Sequence, residues 1–111
     1  MKRIMLLSVL CFLGIQLFSQ KVYSVDSKYD ADIKVYVADS KYDADLVVYK
    51  CDSKYDATDN KGLWYFVDSK YDADKKVYFV DSKYDADLII YFASSKYDAE
   101  WRTSSKKQLM Y

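Results

Sequence analysis

Three kinds of side chain recur in this chain at spacings that could do chemistry. Aspartates recur as Asp-x-x-x-Asp-x-Asp, first at Asp26, Asp30 and Asp32. Clustered carboxylates are what a hard cation such as calcium needs. The pattern lacks the glycine of a calcium loop, however, and Lys28 sits among the acids. The competing reading is turn capping, with the lysine offsetting part of the charge. Tyrosines come in pairs six apart, at Tyr23 and Tyr29, Tyr36 and Tyr42, Tyr49 and Tyr55, Tyr65 and Tyr71, Tyr78 and Tyr84, Tyr91 and Tyr97. Such rings stack on the apolar faces of sugars, or serve as core and interface rings whose hydroxyls reach water. Their recurrence in every unit favours the structural role, because a binding site usually breaks symmetry. Cys51 fills the slot held elsewhere by Val25, Ala38, Val67, Val80 and Ala93, which marks a small, apolar, buried position. The chain has no histidine, so a nucleophile would lack its usual base. The same pair of carboxylates appears in every unit. No catalytic residue, cofactor site or metal ligand is therefore assigned, and the domain is read as non-enzymatic.

These residues are carried by one phrase, Ser-Lys-Tyr-Asp-Ala. It occurs six times, from Ser27, Ser40, Ser53, Ser69, Ser82 and Ser95, at spacings of 13, 13, 16, 13 and 13. The apolar stretches between the phrases read as strands. Ile33, Val35 and Val37 alternate onto one face, and Val, Ile, Tyr and Phe favour a pleated surface. Leu46-Val47-Val48-Tyr49 and Leu88-Ile89-Ile90-Tyr91 are apolar on both faces, so they should be the most buried strands. The phrase itself predicts a single helical turn. Ser27 caps it, and Asp30 stands in the capping-box position. With no proline and no glycine in these links, tight primed hairpins are not expected.

A shift of 42 positions lays Tyr23–Ala57 on Tyr65–Ala99. The domain is thus two triplets of units, joined around Asn60-Lys61-Gly62, with a pseudo-two-fold axis. An open solenoid would need polar capping units, and none is graded that way. A closed arrangement with the triplets wrapped around each other leaves fewer exposed edges. The expected fold is mainly β with short helical turns (α+β), built from six thirteen-residue strand–turn repeats. Trp64 and Trp101 flank the ends of the second triplet and should cover its rim.

Met1-Lys2-Arg3 followed by the apolar run Ile4 to Phe18 reads as a secretory signal peptide ending near Ser19 or Gln20. The run is too short for a comfortable span, which needs about 20 residues. The division expected is 1–20 signal peptide, 21–101 repeat domain and 102–111 basic tail. That tail, with Arg102, Lys106 and Lys107, reads as solvated and frayed, or as a weak contact for an anionic surface. Removing Lys2 and Arg3 leaves 15 basic residues against the chain's 17 acidic ones. That balance argues against nucleic acid as the partner. It also removes Cys11, so Cys51 has nothing to bridge to.

The tandem units of Asp-Ser-Lys-Tyr-Asp-Ala-Asp followed by a Val-Tyr-Val or Val-Tyr-Phe strand, from Val22 to about Trp101, resemble the septoil-knot domain. That family is a small bacterial module of uncharacterised function. The resemblance implies a compact domain whose backbone is tied with seven crossings, and it brings no catalytic residues with it. Thr58 and Glu100 depart from the closing Asp32, Asp45, Asp74 and Asp87, at the units where the chain must leave the repeat. Ser94 replaces the leading aspartate of the sixth unit. The functional expectation is an exported, non-enzymatic monomer, periplasmic or extracellular, acting as a structural or binding module of unknown ligand whose topology resists unfolding and proteolysis. The alternatives are a calcium-binding or glycan-binding module using the repeated Asp and Tyr residues.

Overall fold

The computed structural model describes residues 20–111. The expected signal segment, apart from Gln20, lies outside the described residues, as does Cys11. Seven strands form, β1 (Lys21–Ser24), β2 (Ile33–Val37), β3 (Leu46–Lys50), β4 (Leu63–Phe66), β5 (Lys75–Phe79), β6 (Leu88–Phe92) and β7 (Glu100–Trp101). The phrase makes a three-residue 3-10 turn in every unit, from Lys28–Asp30 to Lys96–Asp98. There is no α-helix among the described residues, so the fold is mainly β.

Six parallel strands close into a barrel in the order β4-β1-β5-β2-β6-β3, with β3 returning to β4. Strands of the first triplet alternate with strands of the second all the way round. The triplets are therefore interleaved, as closure required. β7 adds to β3 as an antiparallel strand.

Parallel strands usually need a crossover of a dozen or more residues. Here only residues 25–32 separate β1 from β2. The register explains how so short a link suffices. Ser24 ends β1 opposite Val77, and Ile33 starts β2 opposite the same Val77 from the other side. Val37 and Leu46 flank Ile90 in the same way, and Phe79 and Leu88 flank Val35. Each eight-residue link within a triplet hops one strand of the other triplet and lands level with the residue it left, whereas the longer link of residues 51–62 joins β3 to its direct neighbour β4. A circuit of the ladders climbs twelve residues, three on β4, two each on β1, β5, β2 and β6, and one on β3. At about 3.3 Å per residue and 4.8 Å between strands, that stagger tilts the strands roughly 54° from the axis, beyond the usual 35–45°.

The closing aspartates hold each landing. Asp32 donates its N–H to Lys76 O at 2.7 Å and accepts Lys76 N–H on Oδ2 at 2.8 Å. Asp45 clamps Ile89, Asp74 clamps Lys21 and Asp87 clamps Lys34 by the same two bonds. Each clamp joins one triplet to the other. Thr58 and Glu100 stand where the closing aspartate would be, and there the chain departs, into the linker and into β7.

Inward residues alternate with outward ones. Val22, Ile33, Val35, Leu46, Val48, Val77, Leu88 and Ile90 fill the barrel. β3 is the most buried strand, as expected; β6 is not, because Ile89 and Tyr91 stay half-exposed on the outside. Trp64 corrects the rim reading. It is fully buried at the slot equivalent to Val22, on the inward face of β4. Trp101 is half-buried beside the core, its Nε1 donating to Asn60 O at 2.9 Å.

One end of the barrel carries Phe66, Phe79 and Phe92, each the last inward residue of its strand. Lys50 lies over the rings of Phe92 and Phe66 at 4.5 and 5.4 Å. The other end is plugged by the tail, which is not frayed. Ser104–Met110 forms a 3-10 helix with Met110 fully buried. Gln20 Nε2 donates to Met110 O, Asn60 Nδ2 to Lys107 O, and Lys106 Nζ pairs with Asp45 at 3.1 Å. Arg102 and Thr103 donate their backbone N–H groups to Asp45 O. Gly62, at φ +93°, is required in the linker, since a Cβ there would strike Val47 O.

A clamp at the surface should matter less than one that is half-buried and also holds the tail. Asp32→Ala is expected to lower stability by about 1 kcal/mol and Asp45→Ala by about 2 kcal/mol or more. Urea denaturation checks this; losses near zero at both sites would remove the clamps from the account of the fold.

Candidate functional site

Each turn rests on a strand of the other triplet and pushes three side chains outward. Ser27 Oγ accepts the N–H of Tyr29 at 3.2 Å, and the serine of every other unit does the same. The bond goes to the second residue after serine, so the turn is tighter than the capping box expected. Asp30 contributes only its backbone N–H, to Ser27 O, and its side chain lies at the surface.

The phrase tyrosines are not core or interface rings. Tyr29, Tyr42, Tyr55, Tyr71, Tyr84 and Tyr97 are 75 to 87% exposed. The repetition argument failed here because a three-residue turn has no inside. In Ser-Lys-Tyr-Asp no neighbour is apolar, and that was the available signal. Each ring carries its own unit's lysine ammonium 5.5 to 5.7 Å from its centre. Arg102 also approaches the Tyr42 ring, at 5.5 Å. Contacts this exposed lie at the weak end of cation–π attraction, about 0.5 kcal/mol or less each.

The strand tyrosines behave differently. They point out of the barrel, half-buried, and form floors between neighbouring turns. One groove has Tyr36 as its floor, Lys83 and Tyr84 on one wall and Asp43 on the other. The next repeats it with Tyr91, then Lys41 and Tyr42, then Asp98. Grooves floored by Tyr49, Tyr65 and Tyr78 also set the lysine of one turn against the aspartate of its neighbour. Their volumes run from 320 to 400 Å³, the small end of ligand clefts.

The aspartates of a unit are not brought together as a cation site. Among the described residues no group of three or more Asp, Glu, Cys or His side chains could hold a metal ion. Asp32 and its equivalents spend a carboxylate oxygen on the neighbouring strand instead. Cys51 is buried, as the substitution series predicted. Burial pushes its thiol above the usual value, and the carboxylates of Asp56 and Asp52 push the same way, against a smaller opposing effect of Lys96. That is the setting of an inert thiol.

The barrel, its interleaved order and its repeated turns now stand beside one comparison. Residues 19–102 match the family model of the 7(1) septoil knot domain. The chain belongs to the septoil knot domain family. No curated protein and no solved structure matches it. The septoil knot domain thus covers the whole barrel, from just before β1 to the residue after β7.

Exposure separates the two sets of tyrosines energetically. Tyr84→Ala is expected to change stability by less than about 0.5 kcal/mol, and Tyr78→Ala, under the Lys28–Asp30 turn, to cost roughly 1–2 kcal/mol. Thermal unfolding of the two variants tests the division; a large loss for Tyr84→Ala would place its ring in the fold.

Proposed function

We propose that this septoil knot domain is an exported, non-enzymatic binding module, whose barrel is a rigid carrier for the ring of Lys-Tyr-Asp turns. One observation carries the reading. Six tyrosines at equivalent positions stand in water, where the fold gains little from them. Large rings on rigid turns, with polar neighbours, are efficient contact residues because little conformational freedom is lost on binding. The basic start and apolar run of the N-terminus support export. The lack of histidine, and of any carboxylate pair that differs from unit to unit, supports a role without catalysis.

The binding role is tested with the protein as bait on envelope and culture-fluid fractions. The partner of the comparison is a variant with all six phrase tyrosines changed to alanine. Wild-type bait should retain material that the variant does not. Equal retention by both would remove the turns from the function.

The reading includes a backbone closed into the family's seven-crossing knot, supported by strict alternation of the triplets around the barrel. Pulling the domain from both termini provides the test. A knotted chain should stop short of the extended length of about 3.5 Å per residue. Extension to the full length would mean an unknotted path.

A further inference from the structure

We infer that the grooves between turns are equivalent subsites for a neutral, repeating polysaccharide, one sugar residue to each groove. The inference rests on the binding role proposed above and names its ligand class.

Repetition is the first support. Neighbouring grooves offer the same chemistry, a tyrosine floor with a lysine on one wall and an aspartate on the other. A partner of irregular surface would use one groove and leave the others idle. Only a ligand that repeats its own chemistry engages several at once, and linkage between its units then raises the affinity without any new kind of contact.

Charge is the second. Every groove holds both signs of charge and none has more ammoniums than carboxylates: Lys83 faces Asp39, Asp43 and Asp81, Lys41 faces Asp39 and Asp98, Lys96 faces Asp52 and Asp56, and the Tyr65 and Tyr78 grooves each hold two lysines and two aspartates. A polyanion would meet the carboxylate in every groove, and a polycation the ammonium. An uncharged polyhydroxylated chain is opposed by neither, and its hydroxyls donate to Asp43 and accept from Lys83. The tyrosines are the third. Tyr36 and Tyr84 give a groove two rings for the C–H faces of a sugar. Lys83 lies over the Tyr84 ring and leaves the opposite face of that ring for a ligand.

The test is affinity electrophoresis through gels cast with neutral polysaccharides (a β-glucan, a xylan, a galactomannan) or with anionic alginate. Retardation is expected in at least one neutral gel and not with alginate alone. The sixfold variant Tyr29→Ala, Tyr42→Ala, Tyr55→Ala, Tyr71→Ala, Tyr84→Ala and Tyr97→Ala should abolish it, at unchanged melting temperature. Tyr84→Ala alone should weaken it about threefold or more, and the polymer should bind at least about tenfold tighter than its trisaccharide. Retardation by alginate only, retardation that survives the sixfold change, or none in any gel overturns the inference. Treating the envelope material held by the bait with periodate or with protease separates the two levels. Loss to periodate supports the polysaccharide. Loss to protease keeps the binding role and ends this inference, and a bait that holds nothing ends both.

Discussion

The four eight-residue links of this domain, β1–β2, β2–β3, β4–β5 and β5–β6, obey one constraint. Each must cross a strand of the other half-chain and land level with the residue it left. Val77 is flanked by Ser24 and Ile33, and Ile90 by Val37 and Leu46. Two strand spacings are about 10 Å, which eight residues span with one short turn to spare. The stagger that makes this possible also tilts the strands steeply. The rest follows from it. An all-parallel sheet normally needs helices over its outer face. Here the links themselves lie across that face and half-bury the strand tyrosines. The closing aspartate fixes the landing by joining the last residue of the link to the strand just crossed. A solenoid built from the same units would have left two open edges, whereas β3 pairing with β4 leaves none in the six-stranded ring.

Much of this was readable from the sequence because the pattern was local. A serine before a polar triplet caps a turn, and alternation of Ile33, Val35 and Val37 gives a strand. The 42-residue shift exposes two half-chains. What could not be read depended on the third dimension. Trp64 was placed at a rim because its neighbours in sequence are a linker, but the register puts it on the inward face of β4. The tail read as frayed because Lys106 and Lys107 are polar. Its anchors are Asp45, Asn60 and Gln20, which lie 47 to 90 residues away in sequence, and Met110, one apolar residue that finds the open end of the barrel. The role of Asp32 was read as local capping. Its partner, Lys76, is 44 residues on. The outward tyrosines were misjudged for a different reason, since repetition was taken as a sign of the core.

That misjudgement sharpens the functional question, because each position of the phrase can be matched to a structural demand. Serine supplies the hydroxyl that holds the turn. Alanine is small because it packs beneath, fully so at Ala57 and nearly so at Ala44. The closing aspartate is the clamp. Lysine, tyrosine and the second aspartate answer to none of these demands. They are nevertheless the same in all six units.

Recent duplication would account for such sameness only if the units were alike throughout. They are not. Val22 corresponds to Trp64, Cys51 to Ala93 and Ile33 to Lys75, and the last residue of each strand is Ser24, Val37 or Lys50 in one half against Phe66, Phe79 or Phe92 in the other. The core has drifted under the pressure of complementary packing, large residues in one triplet set against smaller ones in its neighbour. Exposed turns are ordinarily where a chain varies most freely. A domain whose buried positions differ between repeats while its exposed ones do not has the usual order reversed. Stability cannot reverse it, because a ring in water contributes too little. A ligand that meets the turns one after another, making the same demand of each, would.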